Sequence, residues 1–296
     1  MGLLKPYLQL MRPANIVTAI SDVLAGIAIA TLYMGGETVA LSWSTLLFLA
    51  AATVGLYGGG VVFNDVFDAE LDARERPERP IPSGKVRLRN AAYLGIALFV
   101  LGVAAAVLAS GLSGAIAGTI VLMCLVYDKW AKHHALMGPI AMGLCRGLNL
   151  LLGISYSTDA VHQVWFLAAA PMLYIAAVTS ISRGEVHGGK KGPLLLSAGL
   201  YAVVIALIAV FGVVKDSSVL GVGMVLPFAL FVYPPLVTAI RTLAPQDIRK
   251  SVKHGVLGLI FMNAAWASAA SMWGLAIAVL SLFPISIWLS KLFSVT

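Results

Sequence analysis

Long apolar segments separated by short polar ones fill almost the whole chain. Most of them reach the length of a bilayer-spanning helix, which needs about 20 predominantly apolar residues. The pattern predicts nine or ten spans, because the last two segments are separated only by a predicted turn at Trp273 and Gly274. The ten candidate segments are residues 14–34, 41–63, 90–110, 113–127, 136–155, 163–182, 194–214, 219–240, 255–273 and 275–291.

Composition supports this interpretation and excludes a water-soluble enzyme. Of 296 residues, 60% are apolar and 11% are charged, with a mean hydropathy of +0.93. Soluble domains average roughly 45–50% apolar and about 25% charged residues. The sequence leaves no room for a large extramembrane domain. It therefore predicts an all-α, polytopic transmembrane helix bundle that forms one integral-membrane domain over residues 1–296.

The basic residues fall in alternate connections between the predicted spans. The chain carries 20 Lys and Arg against 13 Asp and Glu, and the opposite set of connections holds only Lys215. By the positive-inside rule, the N-terminus and the basic loops are cytoplasmic. Lys291 on the same side favours an even number of spans. We expect a multi-pass protein in the cell membrane of a bacterium or archaeon, and the net charge is explained by the bilayer rather than by nucleic acid.

The polar segment 64–89 holds six of the 13 acidic and six of the 20 basic residues. Asp65, Asp68 and Asp72 are spaced i, i+3 and i+7, which places them on one face of a helix that extends the second span. Carboxylates so close together repel one another unless a cation neutralises them. Mg²⁺ takes one or two carboxylates and leaves other positions to water and substrate phosphates. The three aspartates are predicted Mg²⁺ ligands oriented by Asn64; the alternative is a solvated loop whose acids pair with neighbouring arginines.

Prolines 77, 80 and 82 then force the chain out of the helix, and Ser83 and Gly84 predict a turn. Such a turn is expected to bring basic side chains back towards the carboxylates. Guanidinium groups match the geometry of phosphate oxygens. Acids for a metal and bases for anionic oxygens together predict a diphosphate site at the cytoplasmic end of the bundle. The bases concerned are Arg76, Arg79 and Lys85.

These residues resemble the motifs of the UbiA superfamily of intramembrane prenyltransferases. The resemblance implies an all-helical bundle that binds an isoprenoid diphosphate through Mg²⁺ and moves its prenyl group to a small acceptor. It also implies substrate-binding roles for Asn15, Tyr127 and Lys132. Four stretches carry it: residues 64–72 are similar to NDxxDxxxD, residues 79–84 to RPxxxG, residues 12–15 to RPxN, and residues 127–132 to YxxxxK.

The second aspartate motif of that family is altered. Aligning Gly189 and Lys190 with the family's Gly-Lys pair puts Glu185 at one aspartate position and Ile181 at the other. One carboxylate is thus replaced by glutamate and the other is absent. The segment is similar to a divergent branch, the EboC-like proteins. We expect its remaining polar groups to contact the same diphosphate: Arg183, Glu185, Lys190 and Lys191. His187 is either an added hydrogen-bond donor or an exposed loop residue.

Arg146 is a basic residue well inside an apolar segment, with Asn149 three positions later. An ionisable group at that depth is costly and normally faces the bundle interior with a partner. The resemblance places both residues near the acceptor pocket, Arg146 in a catalytic role and Asn149 in substrate binding. The competing interpretation is a structural ion pair with Asp22 of the first span.

The predicted function is Mg²⁺-dependent transfer of a prenyl group from an isoprenoid diphosphate to an aromatic or other small acceptor. Two alternatives share the same site: a protein that binds or translocates isoprenoid phosphates without transfer, and a terpene cyclase or diphosphate lyase of the UbiA type. A secondary transporter is a further rival, but its acids should lie near mid-span rather than at one end.

Overall fold

The computed structural model describes residues 4–34, 41–134, 137–185 and 188–293. Within these ranges the chain is helical, with no strand. The ten long helices are α1 (Pro13–Thr31), α2 (Trp43–Phe67), α3 (Leu88–Ala109), α4 (Gly111–Lys129), α5 (Met137–Ile154), α6 (Ala169–Ser182), α7 (Lys191–Val214), α8 (Val225–Thr242), α9 (Pro245–Ala269) and α10 (Trp273–Leu292). Shorter helices cover Lys5–Met11, Ala69–Glu75, Thr158–Val164 and Val219–Gly223, with 3-10 turns at Ala131–His133 and Trp165–Ala168.

Nine helical stretches in the described chain are long and apolar enough to cross a membrane, which confirms the predicted polytopic all-α bundle. Helix α9 has the length of a span but lower hydropathy. It packs against α1, α6, α8 and α10, and every residue from 262 to 269 is buried. The lower hydropathy comes mainly from the polar first turns of the helix, before residue 255.

The predicted boundary between the last two spans is wrong. Helix α9 begins at Pro245, ten residues before the apolar segment, because its first turns are polar and Pro is favoured at the first helical position. Helix α10 begins at Trp273, so Trp273 and Gly274 are helical rather than a turn. The chain reverses instead at Ala270–Met272, where Ser271 adopts a φ of 59°.

Helix α1 is the centre of the bundle and packs against α2, α5, α9 and α10. Two glycines let α1 and α5 approach until their backbones touch. A Cβ added to Gly26 would lie 2.3 Å from the carbonyl oxygen of Leu150, and one added to Gly153 would lie 2.3 Å from that of Val23. This close crossing sets Asp22 of α1 beside Arg146 of α5, with Arg146 Nη1 2.7 Å from Asp22 Oδ2.

The two ends of the bundle differ in charge. All but two of the 20 Lys and Arg lie at the end where α2, α4, α6, α8 and α10 finish, which we call the basic end. At the basic end, the start of one helix packs against the last turns of another. For example, the Ser286 hydroxyl of α10 donates to the carbonyl of Ala14 in α1. At the opposite end Lys215 lies over the ring of Tyr33, with Nζ 4.3 Å from the ring centroid.

Candidate functional site

One arginine joins two of the three predicted aspartates at the basic end. Asp65 lies in the last turn of α2 and Asp72 in the short helix Ala69–Glu75, and both are buried. Arg79 Nη1 lies 2.7 Å from Asp72 Oδ2 and 3.5 Å from Asp65 Oδ1. The turn that follows the proline cluster therefore returns Arg79 to the carboxylates, as the sequence predicted.

The three aspartates do not lie on one straight helix. Helix α2 ends at Phe67, and Asp68 has φ −89° and ψ 3°, outside the helical region. Backbone hydrogen bonds still continue across the bend, from Asp68 N–H to Asn64 and from Asp72 N–H to Asp68. The bend turns the Asp68 carboxylate towards Lys132, whose Nζ lies 2.6 Å from Asp68 Oδ1.

Arg12 is a site residue that sequence reasoning did not single out. It precedes α1 with a φ of 50°, in the left-handed region, and its Nη2 donates to Asp65 Oδ1 at 2.5 Å. A non-glycine residue in this conformation is held there by its surroundings. Arg12 is the first residue of the RPxN motif. Pro13, which begins α1, was the signal that could have drawn attention to it.

Arg76 and Lys85 are not brought back to the carboxylates. Both side chains are exposed. The segment folds as tight turns, with hydrogen bonds from Arg79 N–H to the carbonyl of Arg76 and from Ser83 N–H to that of Arg79. This geometry directs Arg79 inward and leaves its basic neighbours in solvent. The substrate-binding role of Arg76 stays a prediction.

A cavity of about 320 Å³ lies between α1, α2, α4, α5, α6 and α9. Arg12 and Asn64 are among its lining residues, whereas the three aspartates, Arg79 and Lys132 are not. Its mouth is polar and its walls are largely apolar, with Leu56, Ile120, Met142, Ile175 and Leu259 among the lining side chains. Cys124 and Cys145 also line it, with their Sγ atoms 3.9 Å apart. We call the part of the lining at the basic end the mouth, and it includes five polar residues: Arg12, Asn15, Asn64, Tyr127 and Asp128.

Asp128 is the second residue that the sequence analysis missed. It is 3% exposed, lies in the last turn of α4 and lines the cavity. Asn64 Nδ2 donates to Asp128 Oδ1 at 2.9 Å. An aspartate at the end of an apolar span, beside Tyr127 of the YxxxxK motif, was the signal that could have identified it.

The floor of the cavity is a buried polar network around Asp22. Arg146 Nη1 donates to Asp22 Oδ2 at 2.7 Å, and its Nη2 donates to Thr18 at 2.8 Å. Asn149 donates to Asp22 Oδ2 at 3.1 Å, while Asn263 of α9 donates to Asp22 Oδ1 at 2.7 Å. Arg146 and Asn149 also line the cavity. Arg146 thus forms the ion pair with Asp22 and lines the predicted acceptor pocket at the same time.

The altered second motif lies away from the cavity. Lys190 is exposed and precedes α7, and Arg183 is exposed at the end of α6. Glu185 is half-buried, and its backbone carbonyl accepts from Arg249 Nε at 3.2 Å. Burial raises the pKa of the Glu185 carboxyl, and the charge of Arg249 opposes that rise. No member of the motif in the described residues lines the cavity; their roles stay predictions, and His187 lies outside the described residues.

The oxygen donors at the mouth suit Mg²⁺, which favours carboxylate, amide and phosphate oxygens. Among the described residues, no three Asp, Glu, His or Cys side chains come close enough together to hold a metal ion by themselves. The ion needs only one or two carboxylates when substrate phosphates complete its shell. Asp65, Asp68 and Asp128 can provide these, while Arg12, Arg79 and Lys132 provide positive charge for the phosphates.

A family model described as the UbiA prenyltransferase family matches residues 23–248. The chain is similar to two curated proteins named digeranylgeranylglyceryl phosphate synthase. One, from Methanosarcina mazei, is 29% identical over 87% of this chain and 96% of that protein. The other, from Ignicoccus hospitalis, is 30% identical over 63% of this chain and 59% of that protein. For several further relatives of the same name, the matched region is about half of their length.

Solved structures share the fold. A UbiA homologue from Aeropyrum pernix matches with a TM-score of 0.71 at 19% identity, over 84% of this chain and 96% of that one. A UbiA homologue from Archaeoglobus fulgidus bound to GPP and Mg²⁺ matches with a TM-score of 0.58 at 14% identity, over 93% and 99% of the two chains. At such low identity the likeness concerns the arrangement of helices alone.

Proposed function

The chain belongs to the UbiA prenyltransferase family, and from that premise we propose that it transfers a prenyl group from an isoprenoid diphosphate to a small acceptor within the membrane, with Mg²⁺ as cofactor. The observation that carries the proposal is the junction of two environments. Buried acids and bases at the basic end meet a largely apolar cavity that continues between the helices. A prenyl diphosphate has the same two parts, a charged head and an apolar chain.

The diphosphate lies at the mouth in this proposal. Arg12, Arg79 and Lys132 donate to its oxygens. The paired N–H groups of the two arginines match the spacing of phosphate oxygens and so favour a diphosphate. Asp65 and Asp68 would hold Mg²⁺ together with diphosphate oxygens, and Asn64 would orient the nearest carboxylates. Asp72, which pairs with Arg79, stays a predicted ligand. When bound, Mg²⁺ offsets the negative charge that develops on the leaving diphosphate.

The cavity protects the reacting carbon from water. The bond between the allylic carbon and the diphosphate oxygen breaks, and that electron pair leaves with the diphosphate. A nucleophilic atom of the acceptor then bonds to the allylic carbon and loses a proton. Apolar walls such as Leu56 and Ile120 exclude the water that would otherwise capture the cation. Lipid on the outside of the bundle gives the prenyl chain a sideways route into the cavity.

The relatives' names point to a first acceptor to test. They are named for a product that joins geranylgeranyl groups to glyceryl phosphate. We propose an acceptor of this glyceryl phosphate class, held with its reactive end towards the floor formed by Arg146 and Asn149. Aromatic acceptors serve as the comparison set.

The decisive experiment is product analysis on the purified protein. We expect mass spectrometry to detect a prenylated acceptor and equimolar diphosphate when prenyl diphosphates of several lengths are supplied with glyceryl phosphate or aromatic acceptors and Mg²⁺. Diphosphate release without any acceptor would identify a cyclase or lyase. Mg²⁺-dependent binding without release would identify a binding or translocating protein and contradict the proposed transfer.

We further propose that residues 1–296 form one domain in a prokaryotic cell membrane, with the basic end in the cytoplasm. Helices α9 and α10 pack on α1, which joins the last two long helices of the described chain to the first and so supports a single domain. The charge asymmetry supports the orientation. Reporter fusions after residues 89 and 192 are expected to be cytoplasmic, and fusions after residues 37 and 159 to lie on the other face. An external signal at residue 89 would contradict the orientation and place the site away from cytoplasmic diphosphates.

A further inference from the structure

Four carboxylates are buried in the described part of the chain, and one of them lacks a basic partner. Asp22, Asp65 and Asp72 each lie within 3.5 Å of an arginine nitrogen. Asp128 is 3% exposed and forms no ion pair within 4.0 Å in the described residues. Its hydrogen-bond donor is the neutral amide of Asn64, at 2.9 Å.

The charges around Asp128 are already engaged elsewhere. Asp68, Lys132 and Arg12 lie within electrostatic range of its carboxylate. Lys132 is 2.6 Å from Asp68, and Arg12 is 2.5 Å from Asp65. A buried carboxylate without a counter-ion is costly because it has lost its hydration without gaining a partner. Asp128 lines the cavity mouth, so a cation that enters with the substrate can reach it.

The position of Asp128 complements the aspartates of α2. Asp65 lies in the last turn of α2 and Asp68 at the bend that follows it. Asp128 lies in the last turn of α4 and lines the cavity. The family's usual source of carboxylates opposite the first motif is the segment after α6. Here that segment has Ile181 and Glu185 at the two positions, and neither lines the cavity.

We propose that Asp128 binds a divalent cation on the α4 side of the diphosphate and replaces the carboxylates missing after α6. The inference rests on the proposed function, because the diphosphate supplies the remaining oxygen ligands. It accounts for the absence of a three-ligand metal cluster in the described residues: the ion joins one carboxylate to phosphate oxygens and is held firmly only when the substrate is present. Asn64 fixes the Asp128 carboxylate and links it to the first motif.

The test uses Mn²⁺ as the probe and a non-reactive prenyl thiolodiphosphate in place of the substrate. Electron paramagnetic resonance counts the Mn²⁺ bound to the full-length protein with and without the analogue. Asp128→Asn keeps an oxygen that accepts from Asn64 but removes the charge, so we expect at least about a 10-fold loss of analogue-dependent Mn²⁺ affinity. Asp159→Asn removes an exposed carboxylate at the opposite end of the bundle and is expected to match the wild-type protein. Glu185→Gln is expected to lose less Mn²⁺ affinity than Asp128→Asn.

Each outcome has a distinct meaning. Unchanged Mn²⁺ binding in Asp128→Asn overturns the inference, even if turnover is lost. Equal losses in Asp128→Asn and Glu185→Gln overturn the replacement of the altered motif. If the wild-type protein shows no analogue-dependent Mn²⁺ binding, the proposed function itself fails. Asp128→Ser provides a second neutral variant should Asp128→Asn not fold, as judged by thermal unfolding without metal.

Discussion

Asp68→Asn is expected to weaken the Mg²⁺-dependent binding of a prenyl diphosphate and to lower turnover by about 10²–10³-fold, the range seen when a group that stabilises developing charge is lost. Asp68 lies at the bend between α2 and the following short helix, with Lys132 Nζ 2.6 Å away. The substitution removes a ligand charge and releases that ammonium. Metal-independent binding of the diphosphate should therefore persist, because the mouth becomes more positive.

The measurement is calorimetric titration of a prenyl diphosphate with Mg²⁺ and with EDTA, alongside turnover. Glu70→Gln is the matched control, since Glu70 is an exposed acid in the same short helix. It removes one negative charge from the segment without touching the mouth, and we expect wild-type behaviour. Normal Mg²⁺-dependent binding in the Asp68→Asn protein would contradict the assignment of the prenyl diphosphate site.

The bundle and the first half of the site could be predicted from sequence because their signals are local. Lipid-facing helices must be apolar along their length, so hydropathy finds them. The spacing of Asp65, Asp68 and Asp72 and the arginine after the proline cluster are likewise contained in one short segment. The suspected pairing of Asp22 with Arg146 is a longer-range case that succeeded, because a charge inside a span has very few possible partners.

The parts that sequence reasoning missed depend on which helix faces meet. Arg12 and Asp128 reach the site from the start of α1 and the end of α4, and no period in those apolar helices marks the side chain that faces the cavity. Closeness to Arg79 in the sequence was also a misleading sign of closeness to the carboxylates. Arg76 and Lys85 flank Arg79 but are exposed, because the turns between them fix one inward direction.

Arg146→Gln and Asp22→Asn are each expected to destabilise the protein by about 3–5 kcal/mol, because each strands the opposite buried charge. Asp22 is fully buried, and Arg146 is 6% exposed. The double variant removes both charges and should cost clearly less than the sum of the single changes. Unfolding in mixed micelles measures the three free energies, and strictly additive losses would show that the pair is not coupled.

Arg146→Lys separates the structural role from the catalytic one. A lysine keeps the positive charge beside Asp22 but has one nitrogen, whereas the guanidinium donates to Asp22 and Thr18 through two. We expect a smaller loss of stability than in Arg146→Gln, because the charge beside Asp22 is kept. We also expect a lower turnover number with unchanged affinity for the diphosphate, since the mouth is not altered. The loss of turnover is then assigned to the acceptor, because Arg146 lines the cavity in which the acceptor is proposed to bind. Wild-type turnover in the stable Arg146→Lys protein would leave Arg146 with a purely structural role as the partner of Asp22.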